Sequence, residues 1–351
     1  MSSCTKIAGV GMYIPSNKID NAMVVERLRK SSQGFLMPDE LEALVAEAED
    51  KLDKVGSKTR YYCEEDEYCT DIATKASIDA LNDAGIKPEE LDLIIFTGMS
   101  KAFVEPATAH VLKHNLNATK ANVIDTQDAC TSFIKSLELA DAMIKIGKAQ
   151  KILVASGERS FDWADFTCKT PGELVWKFAS LTIGDGAGAI VVEGSDDGTY
   201  ADDPHHFQFF YKLFSDKFNA CTIGLNYCVG ERYRLFSHSK HLIRAGQKAT
   251  SELIQEIFEM DEWKSYKYDN LIFHNVGNIV DSLIEKMLRD ADMYVSGAKK
   301  AFFPNFGNVG SASLPIAMTL AKEEDKLKRG NNVFVVVPAA GVQCGIMSFK
   351  Y

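Results

Sequence analysis

The feature that most restricts this chain is that its pattern of apolar strands and helices is written twice. Leu91–Phe96 (LDLIIF) recurs as Tyr268–Phe273 (YDNLIF), 177 positions later. Asn122–Asp125 (NVID) leads through a short loop into CTSFIKSLELADAMI, and Ala301–Pro304 (AFFP) leads through another into SASLPIAMTLAKEE. Lys151–Gly157 (KILVASG) returns as Asn332–Ala339 (NVFVVVPA), and Ile183–Glu193 (IGDGAGAIVVE) is echoed by GVQCGIMSFKY at the end. Four matched elements in one order, the first three at a nearly constant offset, predict two similar halves, 1–195 and 196–351. Continuous apolar strands of this kind belong to sheets covered on both faces. Thr70–Ala84 and Gln247–Met260 show helical spacing, so the expected architecture is a layered α/β sandwich. A helical insertion is expected at about 24–55. Within it Leu41, Leu44, Val45, Ala48, Leu52 and Val55 share one face of a helix over Met37–Val55. That helix either covers the first half or lines the mouth of a substrate channel.

Charge narrows the function. A net charge of -10 leaves no basic stripe to neutralise nucleic-acid phosphates, although a local basic rim around a phosphorylated ligand stays compatible with it. The opening MSSCTKIAGVGMYIP lacks the charged and apolar regions of a signal peptide. The longest apolar runs fall far short of the ~20 residues of a membrane helix. Eight cysteines are scattered without a CxxC pair, which fits free thiols in a reducing, cytoplasmic setting.

Three residues stand out. Cys130, in TQDACTSFIKSLELA, sits where a loop enters a helix, and the helix terminus there favours a thiolate. A cysteine so placed is a nucleophile or an inert packing residue. His274, in FHNVGN, follows a strand directly, at the end where α/β proteins place their sites, or else it caps the next helix. Asn308, in FGNVGSASLPIA, occupies the duplicated counterpart of the Cys130 loop. The duplication should bring Cys130 and Asn308 together across a pseudo-twofold axis, with His274 beside them. The pairs His205/His206 and His238/His241 have no ligand partners at metal-binding spacing, so no metal is expected. IGDGAGA lacks the GxGxxG order and reads as a tight turn between the halves.

Together IAGVGMYIP, ACTSF, IGDGAGAIVV, FHNVGN and GNVGSASLP resemble the β-ketoacyl-ACP synthase III group of the thiolase superfamily over essentially the whole chain. The resemblance implies the five-layered α-β-α-β-α thiolase fold, a homodimer, and Cys130, His274 and Asn308 as the catalytic trio. Glu105, before Pro106 in MSKAFVEPATAHV, is similar to the glutamate of the OleA-type head-to-head condensing enzymes. There it reaches into the partner subunit's site and removes an α-proton. Asp50 and Lys54 stand where the initiating synthases carry the tryptophan and arginine that hold coenzyme A. Lys177 stands in place of a further coenzyme-contacting arginine, and no carrier-docking arginine follows His274. Lys54 and Lys177 are the expected entrance residues for coenzyme A or a phosphopantetheine arm.

The implied chemistry is a two-stage Claisen condensation in fatty-acid or specialised lipid biosynthesis. The Cys130 thiolate takes an acyl group from acyl-CoA or acyl-ACP, with the oxyanion held by the backbone N–H groups of Cys130 and Ala340. An acceptor thioester then binds against His274 and Asn308, its carbanion arising by decarboxylation or by proton removal at Glu105. No permanently bound cofactor is expected. Phe161–Phe166 either lines an acyl tunnel or packs in the core. The alternatives are an acyltransferase that forms an ester or amide without a C–C bond, and a non-catalytic subunit of a heteromeric synthase.

Overall fold

A computed structural model describes residues 4–224, 234–264, 266–293 and 303–351. The first of its two main sheets is built from β1 (Cys4–Tyr13), β4 (Leu93–Thr97), β5 (Asn122–Thr126), β6 (Lys151–Glu158) and β7 (Gly186–Ser195). Two short strands, β2 (Asn17–Asp20) and β3 (Thr59–Tyr62), form a separate antiparallel ribbon. The second main sheet contains β8 (Gln208–Leu213), β11 (Asn270–Phe273), β12 (Asn332–Ala339) and β13 (Gln343–Lys350). A further ribbon pairs β9 (Cys221–Gly224) with β10 (Arg234–Ser237).

The strand orders are β5-β4-β6-β7-β1 and β11-β12-β13-β8. In both sheets the first matched pair is parallel, β4 with β6 and β11 with β12, and the next two pairs are antiparallel. The repeated order follows the sequence repeat. One expectation differs where the segment is described: Phe303 and Pro304 of AFFP do not form a counterpart of β5. Phe303–Phe306 is a short helix, and 301–302 lie outside the described residues.

Both faces of each sheet are covered, which is why the strands read as unbroken apolar runs. In β4, Leu93 and Ile95 point to a central layer, while Ile94 and Phe96 point outward. In β12, Val333, Val335 and Val337 face the same central layer, and Phe334 and Val336 face away. The centre is occupied by the Ser132–Lys145 and Ser313–Glu323 helices, the two helices of the sequence repeat. Cys69–Ala84 and Ala109–Leu116 cover the first sheet from outside. Ser239–Glu259 and Asn278–Asp290 cover the second. Five layers result. Ser239–Glu259 starts a full two turns before the expected Gln247 because its polar first turns carry little apolar periodicity.

The insertion is two helices, Asn21–Ser32 and Pro38–Lys54, bracketed by the β2–β3 ribbon. Asp20 caps the first by accepting from the Met23 N–H, and the second begins with Pro38 at a position where the missing N–H costs nothing. Leu44, Val45, Ala48 and Leu52 are buried as the spacing predicted. Its last turn also borders the central cavity through Lys51, Lys54 and Val55, so it is both cover and lining.

The Cys69–Ala84 helix lies close on the first sheet because small residues meet there. A Cβ added to Gly11 would sit 2.2 Å from the Ala80 nitrogen, and one added to Gly157 would sit 2.0 Å from the Cys69 carbonyl oxygen. Both clashes are with helix backbone, which cannot rotate away. Gly11→Ala should therefore lower the unfolding free energy by about 1–3 kcal/mol in chemical denaturation. A wild-type midpoint would refute the close-packing account.

Candidate active site

Cys130, His274 and Asn308 line a single cavity of about 380 Å³. Three strand ends and two helix starts converge on it. Cys130 follows β5 and precedes the Ser132–Lys145 helix. The turn before it is sharp, with Ala129 in the left-handed region (φ 47°), a conformation an alanine adopts at a cost of roughly 1–2 kcal/mol. The Ser132 hydroxyl holds that turn closed by accepting from the Asp128 N–H (2.6 Å) and donating to the Ala129 carbonyl (2.6 Å).

The thiolate expectation needs correction. Cys130 Sγ is enclosed in a largely apolar cavity, and burial pushes its thiol well above the usual range. A helix terminus is worth only about 0.3–1 kcal/mol, which does not offset desolvation of an anion. The resting group is a thiol, and to act as a nucleophile it would need a base.

His274 lines the same cavity. It leaves β11 with its backbone N–H bonded to the Val336 carbonyl (2.9 Å), and its ring is buried. Nδ1 lies 2.7 Å from the Ser313 hydroxyl, which itself donates to the Gly310 carbonyl (2.5 Å). Since that hydroxyl has one proton and spends it on Gly310, it accepts from Nδ1–H. The imidazole is thereby set as the Nδ1–H tautomer, with Nε2 carrying the lone pair and no hydrogen-bond partner. Burial lowers the His274 pKa to about 4, so the base stays neutral at ordinary pH. His274 does not cap the following helix.

Asn308 is fixed from both sides. Its N–H donates to the Thr182 carbonyl (2.9 Å), and its carbonyl accepts from Gly184 (3.0 Å). Its side-chain oxygen accepts from the Gly310 N–H (3.0 Å), which commits that end and leaves the amide NH2 as the donor. The IGDGAGA segment thus forms the bed of the Asn308 loop rather than a link between halves. Ala340 also lines the cavity. The Gln343 amide reaches the Ala340 carbonyl (3.3 Å) and the Asp128 carboxylate (2.9 Å), so the Cys130 and Ala340 turns are tied together.

Two further groups organise the site without having been visible in the sequence. Ser313 reads there as one small residue in a helix start. Glu158, at the end of β6, is fully buried and accepts from the N–H groups of Met99, Ser100 and Ser311 and from the Ser311 hydroxyl. It joins the segment leading to Glu105 to the Asn308 loop.

The remaining expected residues are distributed. Glu105 is exposed, next to exposed Phe103 and Val104, and does not line the cavity of its own chain. Lys54 lines the cavity but pairs with Asp50 (2.6 Å). Lys177 lines a neighbouring groove instead and is held by Asp165 (2.9 Å) and Glu173 (3.0 Å). Phe161 stacks on Tyr62 (4.1 Å between ring centres) and packs in the core, so Phe161–Phe166 is not a tunnel wall. His205 and His206 bond to the backbone oxygens of Glu262 and Thr5. No group of three metal-ligating side chains occurs among the described residues, and none of their helices is long and apolar enough to cross a membrane.

Residues 124–204 match the family model for 3-oxoacyl-[acyl-carrier-protein (ACP)] synthase III, and 258–351 match the model for its C-terminal part. The chain is 28% identical to β-ketoacyl-[acyl-carrier-protein] synthase III of Aquifex aeolicus (strain VF5), with 99% of each chain covered. It is 26% identical to the corresponding protein of Clostridium perfringens (strain SM101 / Type A), with 98% of each covered. The crystal structure of the Aquifex aeolicus VF5 synthase superimposes with a TM-score of 0.80 at 26% identity, covering 99% of this chain and 100% of that one. A Xanthomonas campestris OleA variant with bound lauric acid and lauroyl-CoA gives 0.82 at 22% identity, with all of both chains covered.

If His274 is the base, acylation of Cys130 should show no histidine limb between about pH 5.5 and 8, because protonation of the base begins only near its lowered pKa. A limb centred near the ordinary ~6.5 would sink that assignment. Ser313→Ala should slow acylation by about tenfold to a hundredfold, with Ser313→Thr restoring most of it. Nitrogen-15 NMR of the His274 ring should show mixed tautomers only in the alanine variant, and an unchanged tautomer there would refute the role of Ser313.

Proposed function

We propose that this protein, which is similar to the 3-oxoacyl-ACP synthases III, is an acyltransferase that joins acyl thioesters by Claisen condensation in fatty-acid or lipid biosynthesis, with Cys130 carrying the acyl group between the two half-reactions. The observation that supports this most is the setting of the nucleophile: a thiol and a neutral imidazole with a free Nε2 line one cavity. In the first half-reaction His274 Nε2 takes the thiol proton as Cys130 Sγ attacks the thioester carbonyl. The backbone N–H groups of Cys130 and Ala340 stabilise the oxyanion, and the leaving thiolate departs with that proton. In the second, the Asn308 amide NH2 donates to the acceptor thioester carbonyl, the α-carbon attacks the acyl-enzyme carbonyl, and Cys130 is expelled as a thiolate that takes up a proton in place of the one lost by the α-carbon, returning to the thiol.

The carbanion arises by deprotonation at Glu105 of the partner subunit in a homodimer. Three features support this reading. Glu105 cannot serve its own chain's cavity from where it stands. Phe103 and Val104, exposed beside it, would be covered by a second copy. β5, close by, is the open edge of the first sheet. The halves 1–195 and 196–351 belong to the same proposal, the first supplying Cys130 and the second His274 and Asn308. Free thiols at Cys4, Cys63, Cys69, Cys130, Cys168, Cys221 and Cys344 are consistent with a cytoplasmic location. Cys228 lies outside the described residues.

The cavity wall is apolar, with Ile223, Leu235, Ile243, Leu283 and Met287 among its residues, and accommodates an acyl chain. The carrier is coenzyme A or acyl carrier protein, with Lys54 at the cavity rim.

Glu105→Gln should retain acylation of Cys130, seen as the added acyl mass on the intact protein, and lose the β-keto product. Condensation at the wild-type rate would assign the carbanion to decarboxylation. Cys130→Ala should abolish both signals, and product formed without Cys130 would overturn the covalent mechanism.

A further inference from the structure

The Cys130 cavity extends between two helices of the layer that covers the second sheet. On Ser239–Glu259 it is lined by Leu242, Ile243, Gly246, Gln247 and Thr250. On Asn278–Asp290 it is lined by Ile279, Val280, Leu283, Ile284 and Met287. Both sets follow the spacing i, i+1, i+4, i+5, i+8, which is a single stripe along one helix face. The stretch from Leu242 to Thr250 spans about 12 Å of helix. Two such stripes on one cavity make a slot, aliphatic except for Gln247 and Thr250. Further along the same helices, Leu253, Ile257 and Leu288 are packed in the core and do not line the cavity. The other face of Ser239–Glu259, with His241, Arg244 and Lys248, lines the neighbouring groove instead.

Gly246 is the central residue of its stripe, and neither backbone nor packing requires a glycine there. Apart from proline, glycine is the poorest residue for a helix interior. Gly246 is not among the glycines of positive φ. Helix backbone leaves no room for a side chain at Gly11 or Gly157, whereas a Cβ added to Gly246 would meet nothing within 4 Å among the described residues. Gly246 is nevertheless buried, so the open space beside it belongs to the cavity and not to bulk solvent. What the missing side chain supplies is width, halfway along the slot.

We propose that Gly246 determines the length of acyl chain this protein accepts, by keeping the slot between the two helices wide enough for the hydrocarbon tail of the thioester. A tail is the occupant that fits, because the slot is continuous with the space around Cys130 and carries no charged side chain on either stripe. The proposal rests on the acyl-thioester reading and adds the substrate class to it, the thioester of a long-chain fatty acid.

The test measures acylation of Cys130 by two pantetheine thioesters, dodecanoyl and butanoyl, which share one carrier arm. The wild-type protein should take both. Gly246→Leu puts a branched side chain into the slot and should lower the ratio of kcat/KM for the dodecanoyl thioester to that for the butanoyl thioester by about tenfold to a hundredfold. Met287→Phe narrows the slot from the opposite helix and should lower the same ratio, so the result does not depend on the folding of one variant. Gly246→Ala should raise the melting temperature, since the helix gains and no contact is lost. An unchanged ratio in the folded variants overturns the proposal, as does a wild-type protein that takes the butanoyl thioester and rejects the dodecanoyl one. A lower melting temperature for Gly246→Ala would make the glycine a packing residue and overturn it as well. Failure of the function reading is distinguishable, because then neither thioester acylates wild-type Cys130.

Discussion

The site depends on one buried carboxylate. Glu158 sits at the end of β6 with no exposed surface, and no cation pairs with it among the described residues. Its charge is held by three backbone N–H groups and one hydroxyl, from two loops that are far apart in sequence. Hydrogen bonds to a buried charge contribute about 1.5–3 kcal/mol each, and any left unmade would expose the full cost of desolvation. The start of the Glu105 segment and the Asn308 loop are therefore locked to the same strand end. The Ser311 hydroxyl also contacts Ser156 (2.7 Å), which repeats the connection one step back along β6.

Dryness sets the chemistry of the cavity. The same burial raises the Cys130 thiol and lowers the His274 imidazole, so both rest neutral. A preformed thiolate–imidazolium pair would need desolvation of two charges, and the helix terminus is too weak to offset it. Neutral partners avoid that cost, and charge develops only when the thioester supplies an oxyanion to share the N–H donors. Ser313 makes this arrangement directional, since in the other tautomer Nε2 would carry a proton and could not accept one.

Two neighbouring spaces of opposite character meet at Leu235. The cavity is lined by aliphatic side chains and ends at the nucleophile, whereas the groove beyond Leu235 is cationic and aromatic. One helix serves both through its two faces.

The duplicated strand pattern, read from residues alone, determined the layered α/β architecture, because strands covered on both faces must be apolar throughout. The same repeat located Cys130 and Asn308 as paired loops, and the motifs around them carried His274. Local pattern could not determine what depends on distant contacts. AFFP reads as a strand, yet Phe303–Phe306 is helical, since propensity over four residues yields to its packing against the β3 region. Ser313 and Glu158 look like ordinary residues of a helix start and a strand end, and acquire their roles only from partners 39 and 58 or more positions away. The helix start at Cys130 suggested a thiolate; enclosure by residues of both halves made it a thiol. The sequence by itself singled out Cys130, and the tertiary structure decided its protonation, because solvent exclusion is a property of the assembled cavity and not of any segment that lines it.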